Sequence, residues 1–549
     1  MTFLQLVRRE MHGSLRKLVI MSGLGGVSSA LILAAINAGA QAADEGKRAD
    51  LWAVTLFLFS LLLFIKTQIY VTTTITGEIE AIIHRIRVRL MDQIRHSELL
   101  AIESIGRSKI IGTITRDTAI LAQASNTLCY SIQAPVVIFF IAVYVAYLSP
   151  VAFVLSAAIV ILAGSIFHFR GRRLTAERTA AAEEERRLFD RLADFIDGFK
   201  EVRLHSGRSE DLFDDAVEVS REAANIKIRT QAESFKLIAS AQSYMYIMLA
   251  AVVFVAPIFS ESLAGASITK TTTALLFVIG ACFGLVQSIP ILLNANAAAD
   301  RLEQLHSELG ATVLSMADAI EVRKRFDKIE MRNIVFRYVN KFSDVTFEIG
   351  PLDFSLRSGD LVFITGGNGS GKSTFLHVLA GIYPPGSGQI LLDGTPINDR
   401  TRDAYRALMS AIFSDYHLFR RLYGIAETDL TGVDDLLKEF RLEGKTGLSG
   451  GEFRTLELSG GQRRRLALIV SLLEKRPILL LDEWTAEQDP EFRRKFYEEL
   501  LPEMMQAGAT IVVITHDERY LDELNLPARR IRMDEGRIID QRSMGGGSA

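Results

Sequence analysis

Cysteine is nearly absent. The 549 residues hold two, Cys129 and Cys282, both inside apolar runs, which excludes a disulfide scaffold. Proline is also scarce at 12, arguing against long disordered or collagen-like stretches. No charge sign is in real excess: 62 Lys+Arg face 65 Asp+Glu, a net charge of −3 that gives no electrostatic reason to expect a nucleic-acid partner. Apolar residues, by contrast, make up 49% of a chain that is still 23% charged. The two figures are compatible only if apolar and charged residues occupy different segments. The length predicts two or three domains.

The apolar residues concentrate before residue 300. Leu18–Ala43, Thr118–Phe169, Leu237–Ser260 and Thr271–Ala299 contain no Asp, Glu, Lys or Arg, and Leu51–Gly77 is interrupted only by Lys66. A helix needs about 20 apolar residues to cross a bilayer. The run from Thr118 is twice that long and is divided by Ser149-Pro150, so it reads as two crossings joined by a tight turn. The expectation is six helices, at about 18–41, 51–75, 127–148, 150–169, 237–260 and 271–296, within a transmembrane domain of residues 1–310. Basic residues crowd one side of the crossings (Arg8, Arg9, Arg16 and Lys17, then Arg85, Arg87, Arg89, Arg95, Arg107, Lys109 and Arg116), which predicts both termini in the cytoplasm. Ala40-Gln41-Ala42 imitates a signal-peptide cleavage site. The preceding apolar stretch is too long for that reading, and removing it would leave an odd number of crossings. The connections at about 78–117 and 170–236 are charged and poor in Gly and Pro, so the helices are expected to continue into the cytoplasm, broken near Leu100–Gly106 and Asp194–Gly207. Lys66 lies within the second crossing, where charge is costly; it is a candidate cavity residue or a snorkelling one.

After an expected linker at 311–326 the pattern alternates strand and helix to residue 541, with a low-complexity tail at 542–549. Leu361–Thr365 reads as a buried strand, Gly366-Gly367-Asn368-Gly369-Ser370-Gly371-Lys372-Ser373 as a loop, and Thr374–Ala380 as a helix. This is G-x-x-x-x-G-K-S in its required strand–loop–helix context. Its glycines let backbone N–H groups, with Asn368, Gly369, Ser370, Gly371 and Thr374, point at phosphate oxygens. Lys372 can neutralise the β/γ-phosphates, and the Ser373 hydroxyl can ligate Mg²⁺. A second strand, Ile478–Leu481, ends in Asp482-Glu483, giving a metal-binding carboxylate and a base for the attacking water. A third, Val512–Thr515, is followed by His516, placed to sense the γ-phosphate. Leu458-Ser459-Gly460-Gly461-Gln462 opens a helix and makes a second anion site through Ser459, Gly461 and Gln462, with no strand before it to set it against the Lys372 loop of its own chain. A near-copy at Leu448-Ser449-Gly450-Gly451-Glu452 has a weaker helical pattern after it and is expected to be a loop.

Together these residues resemble an ATP-binding cassette (ABC) transporter of the exporter type. In that family Gly366–Thr374 matches the Walker A loop, Ile478–Glu483 Walker B, Leu458–Gln462 the signature motif, Ala486–Asp489 the D-loop and His516 the switch histidine. The resemblance implies that Tyr338, or less well Phe336, stacks on adenine. Ser414 stands where the family usually carries a glutamine that serves as metal and water ligand, with Asp415 beside it as a substitute, and Trp484 stands where a proline is usual. The spellings Phe413-Ser414-Asp415 and Asp482-Glu483-Trp484 resemble the branch that exports cyclic peptides and siderophore precursors.

The fold class that follows is an all-α six-helix transmembrane exporter domain and then an α/β P-loop nucleotide-binding domain at 327–541. The expected activity is ATP hydrolysis, with ATP and Mg²⁺, driving export of a peptide-like substrate by a homodimer in the bacterial inner membrane, nucleotide domains cytoplasmic. The alternatives are a lipid or multidrug exporter and, from a different class, a nucleotide-gated channel or ATP sensor.

Overall fold

The computed structural model describes residues 2–11, 13, 15–44, 46, 51–259, 266–310, 325–339, 346–426, 430, 432–523 and 526–544. Most of the expected linker (311–324) and the end of the expected tail (545–549) lie outside them. The chain divides into two compact units: Met1–Leu90 with Ile110–Leu305, and Met91–Lys109 with His306–Ala549.

Among the described residues up to 310 the α-helices are α1 (Phe3–Glu10), α2 (Leu15–Asp44), α3 (Leu51–His96), α4 (Leu99–Ile105), α5 (Arg107–Gly112), α6 (Thr118–Leu148), α7 (Pro150–Asp197), α8 (Phe199–Leu204), α9 (Ser206–Ala250), α10 (Ala256–Phe259) and α11 (Ala266–Gly310). Among the described residues five helical stretches are long and apolar enough to cross a membrane, and the apolar Pro150–Ile166 at the start of α7 is a shorter sixth. The tight turn before it has a local cause. Ser149 Oγ accepts the Ala152 N–H at 3.2 Å, and Pro150 occupies a first-turn position whose N–H would be unused. At 1.5 Å per residue the 46 residues of α3 and the 48 of α7 reach about 70 Å, more than twice a hydrocarbon core, so both continue well beyond it. Short α4 and α8 occupy the breaks expected near Leu100–Gly106 and Asp194–Gly207.

Ion pairs hold the charged end of the first unit. Glu10 ends α1, whose Phe3, Leu6 and Val7 are buried, and its carboxylate accepts from both Arg89 Nη atoms at 3.1 and 3.2 Å. Asp117, fully buried, takes a bidentate pair from Arg301 at 2.7 and 2.9 Å. It closes a π-helical turn, Thr113–Asp117, before α6.

The second unit contains two sheets. β1 (Lys328–Val339), β2 (Thr346–Arg357), β4 (Ser387–Leu392) and β5 (Thr395–Pro396) form an antiparallel sheet in the order β2-β1-β4-β5. β3 (Leu361–Thr365), β6 (Met409–Ile412), β9 (Ile478–Asp482), β10 (Thr510–Ile514), β11 (Ala528–Asp534) and β12 (Arg537–Met544) form the other, in the order β12-β11-β3-β10-β9-β6. Only β12 runs antiparallel to its neighbour there. Every residue of β3, β9 and β10 is buried, as strands covered on both faces require. Their alternation feeds two cores. Phe363, Leu481 and Val513 enter one with Trp484 and Phe496; Ile364, Leu480 and Val512 enter the other with Phe375 and Leu379.

Among the described residues seven α-helices follow β3: α12 (Lys372–Leu379), α13 (Arg402–Arg406), α14 (Val433–Glu439), α15 (Gly460–Leu473), α16 (Pro490–Lys495), α17 (Leu501–Gln506) and α18 (Glu518–Glu523). Leu99 and Leu100 of α4 pack on the second core, Arg402 pairs with Glu98 at 3.1 Å, and the Tyr383 hydroxyl donates to Glu103 at 3.3 Å. The near-copy at Leu448–Glu452 is neither helix start nor plain loop. It is a tight hairpin of β7 (Leu448–Ser449) and β8 (Glu452–Phe453), whose turn glycines 450 and 451 have φ of +59° and +77°. β12 reaches Met544, which pairs with Ala528, so the expected tail begins as strand.

Candidate nucleotide site

Parallel pairing brings three strand ends together. Ile514 stands opposite Ile364 on one side and Asp482 on the other, so the loops after β3, β9 and β10 leave the sheet side by side. Those loops carry Gly366–Ser373, Glu483 and His516. Ligands in open α/β sheets bind in this position, beyond the carboxyl ends of the strands.

The Gly366–Ser373 loop joins β3 to α12. A Cβ on Gly366, where φ is +149°, would fall 2.2 Å from the Met533 carbonyl, so only glycine fits between β3 and β11. Gly371 begins α12 in a left-handed conformation with no side-chain cap, leaving the helix's first N–H groups for a ligand. Lys372 is buried and turns its ammonium back onto the carbonyls of Gly366 and Gly367, at 3.0 and 2.8 Å. Burial lowers its pKa, against the attraction of Glu483 and Asp482. Ser370 Oγ is buried with no partner. Asn368 and Gly369 are exposed on the rim, while Ser373 and Thr374 are half-buried in the first turn of α12.

Asp482 is the electrostatic singularity of the site. It is 1% exposed, and neither carboxylate oxygen has a hydrogen-bond partner. Burial pushes its carboxyl above the ordinary range, opposed only in part by the Ser373 hydroxyl and Ser414 amide, which favour the charged form but lie outside hydrogen-bond geometry. An orphaned, buried carboxylate beside a serine hydroxyl is what a cation carrying phosphate ligands would satisfy, so the residues fit Mg²⁺. No cluster of three or more His, Cys, Asp or Glu able to hold a metal occurs among the described residues, so such an ion would complete its shell with phosphate oxygens and water. Next along the chain, Glu483 faces His516, with Nε2 to Oε1 at 3.3 Å. Both are partly exposed, accessible to a water between them and a phosphate.

The aromatic candidates separate. Tyr338 is 38% exposed near the end of β1, whereas Phe336 is buried and stacked on Tyr383 at 5.1 Å, which removes it as a base-stacking surface. Ser414 and Asp415 are exposed, and it is the Ser414 main chain that reaches toward Asp482. Phe413, just before them, stacks on His377 at 4.3 Å. Ser459 caps α15 through a reciprocal box with Gln462: Gln462 N–H to Ser459 Oγ at 3.4 Å and Ser459 N–H to Gln462 Oε1 at 3.1 Å. No hydrogen bond or ion pair among the described residues joins this turn to the Gly366–Ser373 loop. Lys66 lies exposed on α3, away from all of these groups in the sequence. The contacts of Tyr383 and His377 have no signal in their local spelling, because their partners are distant in sequence.

The family model described as ABC transporter matches residues 349–486. Over 554 aligned residues the chain is 31% identical to the "ATP-binding protein SyrD" of Pseudomonas syringae pv. syringae, covering 96% of this chain and 94% of that one. The chain belongs to the ABC transporter family. This ABC transporter is also 29% identical over 245 residues to the "Beta-(1-->2)glucan export ATP-binding/permease protein NdvA" of Rhizobium meliloti, across 42% of its own length and 39% of that protein's. Its fold is that of a bacterial Atm1-family ABC exporter solved with ATP bound: TM-score 0.75 at 18% identity, covering 97% of this chain and 95% of that one. It is an exporter-type ABC half-transporter, an integral membrane protein whose nucleotide-binding domain binds and hydrolyses ATP to drive transport.

Proposed function

We propose that this ABC transporter works as a homodimer in the bacterial inner membrane and exports a peptide or siderophore-precursor substrate from the cytoplasm, where both termini and the nucleotide domains lie. Each of two ATP molecules is held by Tyr338, the Gly366–Thr374 loop and Lys372 of one chain and closed over by Ser459, Gly461 and Gln462 of the other. Ser373 and Asp482 would hold Mg²⁺, which would supply positive charge to the bound phosphates. Glu483 orients the attacking water and takes its proton, and His516 holds Glu483 and contacts the γ-phosphate. Closed and open states differ by the contacts the γ-phosphate makes to both chains, so its loss shifts the population toward opening.

The observation that carries this reading is the orphaned, buried Asp482 carboxylate adjacent to the Glu483–His516 pair. An ATP sensor would have no need of a positioned base. The substrate class rests on the Phe413-Ser414-Asp415 and Asp482-Glu483-Trp484 spellings. The test is steady-state ATPase of the purified full-length protein beside Glu483→Gln, followed by stimulation with cyclic peptides, lipids and drugs in parallel. A general base is worth about 10²–10⁴ in rate. Equal hydrolysis by the two proteins ends the catalytic assignment, and stimulation by lipids alone ends the substrate assignment. Disulfide trapping between chains carrying Asn368→Cys and Ser459→Cys tests the shared seam.

A further inference from the structure

Glu483 sits in a backbone conformation that side chains avoid: φ +49°, ψ +34°. A non-glycine residue stays there only when its surroundings hold it. On its N-terminal side the holding group is the sheet, with the Glu483 N–H donating to the Ile514 carbonyl at 3.0 Å. On its C-terminal side the Glu483 carbonyl accepts the Ala486 N–H at 3.1 Å and a second donor, Nη1 of Arg464 on α15. Arg464 is almost wholly buried, and its other terminal nitrogen donates to Glu487 at 3.2 Å. The contact is returned, because the indole N–H of Trp484 donates to the Arg464 carbonyl at 2.8 Å. Trp484 is fully buried and packs on Phe496 at 4.6 Å.

The start of α15 is fastened to the same segment. Gln488 Nε2 donates to the Gly461 carbonyl at 3.1 Å, and Arg465 Nε donates to Gln488 Oε1 at 2.8 Å. A Cβ on Gly461 would fall 2.7 Å from the Glu487 carbonyl, so the turn has no room to slide. The Ser459 turn and the backbone of Glu483 are therefore fastened to one another through α15.

We infer that Arg464 is a positioning residue for hydrolysis: by gripping the Glu483 carbonyl it holds the base in its left-handed conformation and ties it to the Ser459 turn. The inference rests on the homodimer reading. There, a chain's Ser459 turn touches the nucleotide held by its partner, while its Glu483 serves its own nucleotide. Arg464 then connects the two sites through one side chain, and a shift of the turn at one site re-aims the base at the other.

The test is steady-state ATPase of the full-length protein as a function of ATP concentration. Arg464→Met keeps the length and apolar stem while removing both donors. Its kcat is expected to fall about tenfold, the size of one lost charge-assisted hydrogen bond, with KM for ATP within about twofold. Placed on Glu483→Gln, the same substitution is expected to change the residual rate less than about twofold, because its effect passes through Glu483. Wild-type kcat for Arg464→Met, a rise in KM with kcat unchanged, or a full further loss on Glu483→Gln each overturns the inference. Should Arg464→Met fail to fold, Arg464→Lys retains the charge and one donor for two acceptors. Its kcat is then expected between the wild-type value and a tenfold loss, and wild-type kcat there overturns the inference equally. Full activity of Glu483→Gln is a separate result, which removes the proposed catalytic role of Glu483 whatever Arg464 does.

Discussion

Asp482→Asn should make the nucleotide domain more stable and the transporter inactive. The carboxylate is 1% exposed and both oxygens lack partners, so ionising it in the ligand-free protein costs free energy that folding must offset. An unsatisfied buried group costs about 1–3 kcal/mol, more when charged, and the asparagine amide recovers only part of that. A net gain of about 1 kcal/mol corresponds to a melting temperature about 2–4 °C higher for a domain of this size. The pH dependence has a definite sign. Burial raises the Asp482 carboxyl above its unfolded value, so the folded state binds the proton more tightly. Wild-type stability therefore rises as pH falls through that raised value, and the advantage of the asparagine variant shrinks with it. Thermal melts of the detergent-solubilised protein from neutral to acidic pH measure both effects. With saturating ATP, adding Mg²⁺ should further raise the wild-type melting temperature and leave that of the variant unchanged. A variant that melts below wild type at neutral pH, or that responds to Mg²⁺ as wild type does, would refute the reasoning.

Other substitutions separate roles that lie close together. Gly366→Ala should cost at least about 1–3 kcal/mol and abolish ATP binding, since the new methyl meets the Met533 carbonyl at 2.2 Å; fluorescent-nucleotide titration and a melt decide it. Tyr338→Ala should weaken ATP binding about three- to tenfold without lowering the melting temperature, whereas Phe336→Ala, which empties a buried site stacked on Tyr383, should destabilise by about 3–5 kcal/mol. Glu10→Gln should lower stability by about 1 kcal/mol, because Arg89 is 39% exposed and solvent screens the pair. Arg89 holds the Glu10 carboxyl below its ordinary range, so that contribution is present at neutral pH and fades as pH falls through the lowered value, which acid-side melts of both proteins will show.

Much of this protein is legible in its residue order because the information is local. A run such as Leu18–Ala43 announces a bilayer crossing by length and apolarity alone, and Ser149-Pro150 announces the turn after α6. Leu361–Thr365 followed by Gly366–Ser373 names a strand and a phosphate loop, since backbone curvature there depends on glycines at neighbouring positions. Other features had no local signature. Phe336 and Tyr338 are aromatics two residues apart on one strand; the resemblance ranked Tyr338 first, but only the packing shows that Phe336 is buried against Tyr383 while Tyr338 stays open. Leu448-Ser449-Gly450-Gly451 and Leu458-Ser459-Gly460-Gly461 differ little in spelling, yet one closes a hairpin and the other starts a 14-residue helix. Trp484, a departure from the usual proline, acquires its meaning only from a carbonyl 20 residues away. Hydrophobic runs and glycine-rich loops act within a few residues of themselves, so the sequence alone determined which helices are long and apolar enough to cross a membrane and where the glycine-rich loop between β3 and α12 lies. Which buried groups stay unpaired, and which arginine grips the base, depends on strands and helices far apart in sequence, and that was decided only when they packed.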